Sequence, residues 1–265
     1  MDFSRLCINC MKEKEPEQNI CPHCHFDQST YVMPPYVLTP YTVLNGRYLV
    51  GKVLGKGGFG ITYIAMDMML ERVVAIKEFF VQGYMYRDNS TSTSISVSTS
   101  AGDSQEQYYR LNREKFEREA KIIAHLDDLT GIVKVYDFFY ENDTVYMVLE
   151  YLDGINLKEY VKAQGGKLNV NEVTSKLNSV MSSLQNLHEH GILHRDISPD
   201  NIMLMKDKSV KILDFVGARD FASRNGKSMS VLVKHGYAPE EQYRSQGDQV
   251  FGVQAAAAGH FQDPN

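Results

Sequence analysis

The sequence predicts an α+β fold in which short strands come before long helices, behind a small cysteine-rich segment. Three observations lead to this prediction. All four cysteines stand within the first 24 residues. From residue 48 onward, β-branched and aromatic runs flank a glycine-rich turn, which favours strands. Further along the chain, apolar residues recur at the spacing of amphipathic helices.

Length and composition restrict the class of protein. At about 150 residues per domain, the 265 residues allow one or two domains. The chain is 43% hydrophobic and 23% charged, which excludes a wholly disordered protein. Its net charge of −5 lacks the basic excess of nucleic-acid binders, so no nucleic-acid partner is expected. We find no membrane segment and no secretory leader, and we therefore expect a cytoplasmic protein with reduced thiols.

Residues 1–28 carry two Cys-x-x-Cys pairs, the spacing of a structural zinc site. The four candidate ligands are Cys7, Cys10, Cys21 and Cys24. The residues between the pairs are too polar to form a core, so a metal would have to hold this segment together. Four free thiols or two disulfides are the alternatives, and His23 and His25 are expected to be bystanders. The segment resembles the small zinc ribbons at the N-termini of many bacterial proteins.

Residues 29–46 contain Pro34, Pro35 and Pro40, which predicts a semi-rigid linker. Regular structure is expected again from residue 47.

A glycine-rich loop follows the first predicted strand, Tyr48–Leu54. Its residues are Gly55, Lys56, Gly57, Gly58, Phe59 and Gly60. The pattern G-x-G-x-x-G opens a helix in dinucleotide-binding folds. Here Ile61–Ala65 continues as a β-branched and aromatic run, so the pattern predicts a hairpin that folds over nucleotide phosphates. The alternative is a glycine-rich hairpin that binds no ligand.

The remaining elements follow in order. Val74-Ala75-Ile76-Lys77 is strand-like, and a helix is predicted from Ser104 to Leu126. Two more strands are predicted at Ile132–Phe139 and Thr144–Leu152, joined by a polar turn. A long helix is predicted from Asn171 to His190, with Gly191 as its stop. Its apolar stripe consists of Val173, Leu177, Val180, Leu184 and Leu187.

Three further motifs follow the long helix, in the order that phosphotransferases of one family show. They are His194-Arg195-Asp196 with Asn201, then Leu213-Asp214-Phe215, and finally Ala238-Pro239-Glu240. Together with the glycine loop and the V-A-I-K strand, they make the chain from Arg47 to about Gly247 similar to the eukaryotic-like serine/threonine protein kinases of bacteria. The stretches GKGGFGITY and GYAPEEQY carry the resemblance to members with an N-terminal zinc ribbon.

This resemblance implies a two-lobe fold and an ATP- and Mg²⁺-dependent protein kinase. The small lobe would span 47–152 and the large lobe 153–250, with a tail at 251–265 that is not kinase-like. It implies that the glycine loop covers the phosphates, and that Lys77, held by Glu119, orients the α- and β-phosphates. Asp196 would be the catalytic base, and Asn201 and Asp214 would ligate Mg²⁺.

The resemblance also implies an adenine site and a partner class. The residues assigned to the adenine are Ala75, Leu149, Glu150 and Leu152. The partners would be proteins with Ser or Thr hydroxyls, including the chain itself through autophosphorylation. Residues 214–240 would form the activation loop, with three serines as candidate phosphorylation sites, Ser223, Ser228 and Ser230. We expect removal of the zinc to unfold the ribbon and to leave the nucleotide affinity of the kinase-like region nearly unchanged.

Three departures from the family pattern define the competing interpretation. Ser198 stands where these kinases usually carry a lysine that touches the γ-phosphate, and we hypothesise that Lys234 replaces this cation. Val216 stands where a glycine is usual. Beyond Gln246 the sequence does not continue into the expected helices, so we expect an incomplete large lobe. The alternative function is a catalytically impaired, pseudokinase-like module that binds ATP or a partner.

Overall fold

The computed structural model describes residues 3–97, 103–215, 218–220 and 236–237. The chain divides into two compact units. The first comprises Met1–Ala120 and Lys134–Tyr151, and the second comprises Lys121–Val133 and Leu152–Asn265. Among the described residues, no helix is both long enough and apolar enough to cross a membrane.

The elements fall in the order that the sequence patterns predict. Among the described residues, the strands are β1 (Val43–Leu44), β2 (Tyr48–Lys56), β3 (Gly60–Asp67), β4 (Arg72–Phe79), β5 (Met85–Tyr86), β6 (Ser96–Val97), β7 (Val135–Glu141), β8 (Thr144–Glu150), β9 (Gly154–Asn156), β10 (Ile192–Leu193), β11 (Ile202–Met205), β12 (Val210–Ile212) and β13 (Arg219–Asp220). The α-helices are α1 (Asp103–Ala124), α2 (Leu157–Ala163) and α3 (Val170–Glu189). Short 3₁₀ turns span Phe3–Arg5, Gln28–Thr30 and Pro199–Asn201. The two long predicted helices are therefore confirmed to within about two residues at each end.

The first unit is built on an antiparallel sheet in the order β1-β2-β3-β4-β8-β7. Strands β3, β4 and β8 supply most of its buried apolar side chains, as their β-branched sequences predict. Helix α1 packs one face on this sheet through Phe116, whose ring lies 5.7 Å from that of Phe79 and 6.4 Å from that of Phe138. The second half of β2 is irregular, with register shifts against β3 between Val50 and Gly55.

The cysteine-rich segment forms two similar turns. In each turn the amide after the second cysteine donates to the carbonyl of the first, at 2.8 Å from Met11 to Cys7 and 2.9 Å from His25 to Cys21. Met11 and His25 both have φ of 57°, so the two turns share one geometry. The segment packs on β2, where the Lys52 amide donates to the Ile8 carbonyl at 2.8 Å. The ribbon is therefore packed on the sheet, where its short turns bury their apolar side chains.

The stretch predicted to be a linker, residues 29–46, is partly folded onto the same unit. Val37 and Leu38 are buried, and β1 pairs with β2. The Leu38 amide donates to the Tyr63 hydroxyl at 3.1 Å, and Asn89 Nδ2 donates to the Val37 carbonyl at 2.7 Å. The prolines keep most of this stretch out of regular structure, but Val37, Leu38 and Leu44 are still buried.

The second unit combines helices with short antiparallel strand pairs. Strand β11 lies between β9 and β12, and β10 pairs with β13. Helix α3 buries Val180, Leu184 and Leu187 of its predicted apolar stripe, whereas Leu177 is 36% exposed. The helix stops at Gly191, whose φ of 76° is left-handed and whose amide donates to the His188 carbonyl at 2.9 Å.

Candidate active site

The glycine loop forms the turn between β2 and β3. A side chain at Gly55 or Gly58 would meet no atom within 4 Å, and one at Gly57 would meet only the Gly60 carbonyl at 3.9 Å. Open space above a loop of small residues is what a closely approaching phosphate group requires. At Gly60, in contrast, a Cβ would lie 3.0 Å from the Glu78 carbonyl, so this glycine allows the close packing of β3 on β4.

The loop is tied to the residues that follow β4. The Phe80 amide donates to the Phe59 carbonyl at 3.3 Å, and the Gln82 amide donates to the Gly58 carbonyl at 3.1 Å. The exposed Lys56 side chain donates to the Pro35 carbonyl at 3.1 Å. Hydrogen bonds to the residues that follow β4 and to the segment that precedes β1 therefore hold the loop.

Lys77 and Glu119 form an ion pair. The Lys77 ammonium lies 2.8 Å from Glu119 Oε1, with the Glu119 side chain 2% and the Lys77 side chain 16% exposed. β4 positions Lys77, while α1 positions Glu119 on the buried face that also carries Phe116. Because such a pair is largely shielded from water, the carboxylate holds the lysine in one direction more firmly than a surface ion pair does.

The residues predicted to contact adenine lie on β4 and β8 and just after β8. Ala75 and Leu149 are register partners across the two strands, and Glu150 pairs with Val74. Leu152 follows in the second unit, where its carbonyl accepts a hydrogen bond from the Gly154 amide at 3.0 Å. The strand register thus brings Ala75 and Leu149 side by side.

In the second unit, Asp196 is held by its neighbours. Asn201 Nδ2 donates to the Asp196 carbonyl at 2.8 Å and to its carboxylate oxygen Oδ2 at 2.9 Å. The Asp196 amide donates to His194 Nδ1 at 3.3 Å. The aspartate is therefore fixed at both its backbone and its side chain.

His194 is a buried, neutral anchor for this loop. Burial lowers its pKa to about 4, and the side chain donates through Nε2 to the Leu213 carbonyl at 2.9 Å. With Nε2 as donor, Nδ1 is left to accept from Asp196, so the two contacts require the same tautomer. The ring also contacts buried Phe215 edge to face, with centroids 4.6 Å apart. One histidine thereby links the segments that carry Asp196 and Asp214.

The hairpin of β11 and β12 brings Asn201 and Asp214 to the same end. Ile202 and Ile212 are register partners, and the Leu213 amide donates to the Asn201 carbonyl at 2.9 Å. Asn201 directly precedes this pair of strands and Asp214 follows it. Asp214 has a left-handed φ of 63°, a conformation that aspartate tolerates better than most residues.

The donor set at this end of the hairpin fits a hard divalent cation. Both amide hydrogens of Asn201 are directed to Asp196, so its oxygen is the atom that it offers to a ligand. Asp214 contributes carboxylate oxygens from the adjacent strand end. Mg²⁺ is bound in proteins by one or two such oxygen ligands together with substrate phosphates and water.

The sequence patterns did not single out the charged network beneath Lys77. Glu78 is fully buried and accepts hydrogen bonds from the hydroxyls of Tyr63 at 2.8 Å and Tyr146 at 2.7 Å, and it forms an ion pair with fully buried Arg87. Burial opposes the charge of Arg87, but the Glu78 carboxylate outweighs it and raises the Arg87 pKa. The sequence signal that could have indicated this network is a glutamate, Glu78, within the largely apolar run VVAIKEFF.

Of the remaining residues that the sequence analysis singled out, the structure describes Ser198. Ser198 is buried, 1% exposed, and its carbonyl accepts the Asn201 amide at 2.9 Å. The other predictions of this region lie outside the described residues, namely Val216, Ser223, Ser228, Ser230, Lys234, the Ala238-Pro239-Glu240 motif and the tail 251–265.

The four cysteine sulfurs cluster as the spacing predicts. All four Sγ atoms lie within 4.8 Å of one another, and the Cys7–Cys24 and Cys10–Cys21 pairs are 3.7 Å apart. Four thiolates at about 2.3 Å from a tetrahedral zinc ion would be about 3.8 Å apart. The cysteines are free thiols and not disulfides, and the cluster includes neither His23 nor His25.

Backbone and side-chain donors point at these sulfurs. The Asn9 amide lies 3.4 Å from Cys7 Sγ, and Asn9 Nδ2 lies 3.3 Å from Cys24 Sγ. Burial raises the pKa of Cys24, but hydrogen bonds from Asn9 and from the Phe26 backbone outweigh it and lower the pKa to about 7. These hydrogen bonds favour the thiolate form at Cys24, whereas burial raises the pKa of the Cys7 and Cys10 thiols, so a metal ion would have to displace the protons of those two thiols.

Comparison with known proteins gives consistent results. The family model for the protein kinase domain matches residues 48–250. Among curated proteins, the chain is 32% identical over 202 residues to the serine/threonine-protein kinase PrkC of Bacillus subtilis, covering 76% of this chain and 27% of that protein. It is 31% identical over 208 residues to PknA of Nostoc, covering 76% and 34% respectively.

A third curated relative, PknB of Mycolicibacterium smegmatis, is 31% identical over 211 residues, covering 77% of this chain and 30% of PknB. The chain therefore spans about a quarter to a third of the length of these three relatives. Among solved structures, the apo form of PpkA-294 is similar with a TM-score of 0.67 and 29% identity, covering 78% of this chain and 72% of that one.

Proposed function

Because the chain belongs to the protein kinase family, we propose that it transfers the γ-phosphate of ATP to serine and threonine hydroxyls of proteins. The observation that carries the proposal is the loop in which Asn201 holds Asp196 through two hydrogen bonds of 2.8 and 2.9 Å, next to the strand end that carries Asp214. Phosphoryl transfer depends mainly on such positioning and on charge neutralisation.

Lys77 and the glycine loop would bind the nucleotide. The buried partner Glu119 holds the Lys77 ammonium, which would orient the α- and β-phosphates. The loop from Gly55 to Gly60 would bring backbone amides to the phosphates, because it carries no Cβ at four of its six positions. Ala75 and Leu149 would line the adenine pocket, with backbone groups at Glu150 and Leu152 as its hydrogen-bonding partners.

Asp196 would orient the attacking hydroxyl and accept its proton. The hydrogen bond from Asn201 Nδ2 to Asp196 Oδ2 fixes the direction of the carboxylate. Asn201 and Asp214 would hold Mg²⁺, which when bound neutralises charge on the transferring phosphates. His194 keeps the segments of Asp196 and Asp214 in register, since it bonds to both through the Asp196 amide and the Leu213 carbonyl.

The test is a γ-phosphate transfer assay with labelled Mg·ATP, both on added protein substrates and on the chain itself. Asp196→Asn keeps the size of the side chain and removes the base, so transfer should fall by about 10²–10⁴-fold. Nucleotide binding by the variant should persist, because Asp196 is not a proposed ligand of the nucleotide. Transfer that is equal in the wild type and in Asp196→Asn would contradict the proposal.

One observation favours a second function, an ATP-binding module that turns over poorly. Ser198 is buried at the position where related kinases carry a cation for the γ-phosphate, and its short side chain provides no charge. Such a contact, acting where charge develops, is commonly worth about 3 kcal/mol or more. Nucleotide binding without measurable transfer in the same assay would identify this second function.

For the cysteine cluster we propose a structural Zn²⁺ ion bound by four thiolates. The 3.7 Å sulfur separations and the N–H donors from Asn9 support it. With all four positions taken by protein ligands, the ion would have no open site for catalysis. Metal analysis of protein purified without chelator should find one zinc per chain, and a substoichiometric content would contradict the assignment.

The partners we propose are protein substrates with serine or threonine hydroxyls, including a second copy of this chain in autophosphorylation. The reduced state of the four cysteines supports a cytoplasmic location, where thiols stay reduced and ATP is available.

A further inference from the structure

The ribbon, residues 3–28, contacts β2 immediately before the glycine loop. The Lys52 amide donates to the Ile8 carbonyl at 2.8 Å. The Met11 methyl group lies so close to Gly51 that an added Cβ would be 1.9 Å from it. Met11 and Ile8 are 1% and 5% exposed, although the ribbon is too small to have a core of its own. The apolar side chains of its first turn are therefore buried on the sheet.

A second set of contacts comes from Phe26 at the end of the ribbon and from Tyr31, three residues beyond the ribbon. Tyr31 directly follows the 3₁₀ turn Gln28–Thr30, and its hydroxyl accepts a hydrogen bond from the Val53 amide at 3.2 Å. The Lys52 ammonium lies 4.7 Å from the centre of the Phe26 ring, which itself packs edge to face with Tyr31. The first cysteine turn and the Phe26–Tyr31 pair thus contact the same short stretch of β2, residues 51–53.

These contacts fall where β2 is least supported by its neighbour in the sheet. The register of β2 against β3 shifts between Val50 and Val53 and again between Val53 and Gly55. A bulged strand loses regular ladder hydrogen bonds, and the groups left over need other partners. Within this irregular stretch, the Lys52 amide donates to the Ile8 carbonyl and the Val53 amide donates to the Tyr31 hydroxyl.

The contacts depend on the cysteine turns. Ile8 lies inside the first Cys-x-x-Cys turn and Met11 follows it, so both take their positions only while that turn is formed. The Ile8 amide also donates to Gln28 Oε1 at 2.8 Å, which connects the first turn to the end of the ribbon beside Tyr31. A segment of this size with no core needs a staple to keep such turns.

Residues 51–53 of β2, which the ribbon and Tyr31 contact, lead directly into the glycine loop. Val53 precedes Gly55 by two residues, and Lys56 of the loop donates to the Pro35 carbonyl in the segment that follows the ribbon. Glycine-rich loops have many backbone conformations available, so anchoring the strand before them reduces the entropy lost when a ligand binds.

We propose that the ribbon is a positioning element for the glycine loop, so that metal occupancy of the four-cysteine site sets the affinity for nucleotide. The positioning residues are Met11 of the ribbon, which acts through Gly51, and Tyr31 just beyond the ribbon, which acts through Val53. The proposal rests on the proposed function, since it assigns the glycine loop to nucleotide phosphates. Loss of the metal releases the first cysteine turn, frees the bulged part of β2 and weakens nucleotide binding without any change in a residue that touches the nucleotide.

The experiment measures Mg·ADP affinity by titration calorimetry in three preparations of the full chain. These are zinc-loaded wild type, wild type depleted with a chelator that is removed before Mg·ADP is added, and zinc-loaded Met11→Ala with Tyr31→Phe. Affinity should fall on the order of five-fold or more in the second and third preparations. Amide hydrogen exchange of residues 50–58 should rise in both, with zinc content unchanged in the variant.

Matched controls remove the same groups elsewhere in the first unit. Met69 is 73% exposed and Tyr140 is 59% exposed, so Met69→Ala with Tyr140→Phe deletes the same atoms without touching β2. This control should bind Mg·ADP as the wild type does and show unchanged exchange at residues 50–58.

The outcomes separate the two proposals. If zinc-loaded wild type binds no nucleotide, the proposed function fails, and this inference fails with it. If the wild type binds Mg·ADP and both the depleted protein and the Met11→Ala, Tyr31→Phe variant bind it equally well, only the inference is overturned. Reduced affinity that follows zinc loss and the contact variant, but not the control, supports it.

Discussion

At the scale of single residues, the fully buried pair of Glu78 and Arg87 has the largest expected effect on stability. Arg87 also donates to the carbonyls of Thr93 at 2.6 Å and Tyr36 at 3.0 Å, so it ties two loops to the sheet. Burial raises the pKa of both Tyr63 and Tyr146, which keeps their hydroxyls protonated as donors to Glu78. Removing one charge would leave the other buried without its counter-ion.

We expect Arg87→Met to lower the free energy of unfolding by about 3–5 kcal/mol, because breaking a buried ion pair leaves an uncompensated charge. Urea denaturation followed by circular dichroism measures the change. Adding Glu78→Gln to Arg87→Met should restore part of the loss, since no charge then remains buried. A loss of less than about 1 kcal/mol, the size of a surface ion pair, would contradict this interpretation.

His194 predicts a pH dependence of stability. Its pKa is about 4 in the folded chain, below the ordinary value of 6.5, because burial disfavours the charged ring. Below pH 6.5 the unfolded state therefore binds more protons than the folded state. The stabilisation is complete above pH 6.5 and is lost as the pH falls towards 4.

Between pH 6 and 5, the wild type should lose about 1.2 kcal/mol of stability more than His194→Gln does. Denaturant midpoints measured at several pH values without Mg²⁺ give the two slopes. Met69→Ala, which changes an exposed residue that does not titrate, is the control and should keep the wild-type slope. Parallel slopes for the wild type and His194→Gln would show that His194 does not titrate abnormally.

At the scale of elements, local patterns predicted what depends on neighbours in sequence. The α+β, protein-kinase-like fold is confirmed, and helices α1 and α3 lie where apolar spacing predicted them. Because a strand-like run follows the glycine loop, the sequence predicted a hairpin and not the helix of a dinucleotide-binding fold. Because these features depend only on residues a few positions apart, they can be predicted without a structure.

Features that depend on distant residues were not predictable in this way. Val37 and Leu38 lie in a proline-containing stretch, and their burial requires Tyr63 and Asn89, which are 25 or more residues away. In the candidate site, motif resemblance named Asp196 and Asn201, but only the structure shows the two hydrogen bonds between them. The packing of the ribbon on β2 has no local signature at all.

The contact between the ribbon and β2 gives a prediction at this scale. Gly51→Ala would place a Cβ 1.9 Å from the Met11 methyl group, 2.5 Å from the Ile8 carbonyl and 2.8 Å from Ile64. Met11 can move, but the Ile8 backbone cannot, so we expect a loss of about 1–3 kcal/mol from overpacking. Gly55→Ala, which meets no atom within 4 Å, is the stability control, and an equal melting temperature for the two variants would refute the assigned contact.

At the scale of the whole molecule, nucleotide should stabilise the native chain. If the proposed function holds, Mg·ATP would bind the folded and not the unfolded protein, so a concentration of 100 times Kd should add about 2.7 kcal/mol and raise the melting temperature. Lys77→Ala and Asp214→Ala should each abolish most of this increase, and Met69→Ala should leave it intact. An unchanged increase in both site variants would place the nucleotide elsewhere.

The segment in front of β2 also determines which surfaces of the sheet remain open to other chains. Residues 41–44 and the Ile8 carbonyl pair with hydrogen-bonding groups along the outer side of β2, from Tyr48 to Lys52. A long strand stripped of these partners would present unpaired amides and carbonyls, the template on which proteins add strands from one another and aggregate. A chain cut to the matched range, beginning at residue 48, would lose this protection. The shortened protein should therefore self-associate in light scattering at concentrations at which the full chain does not.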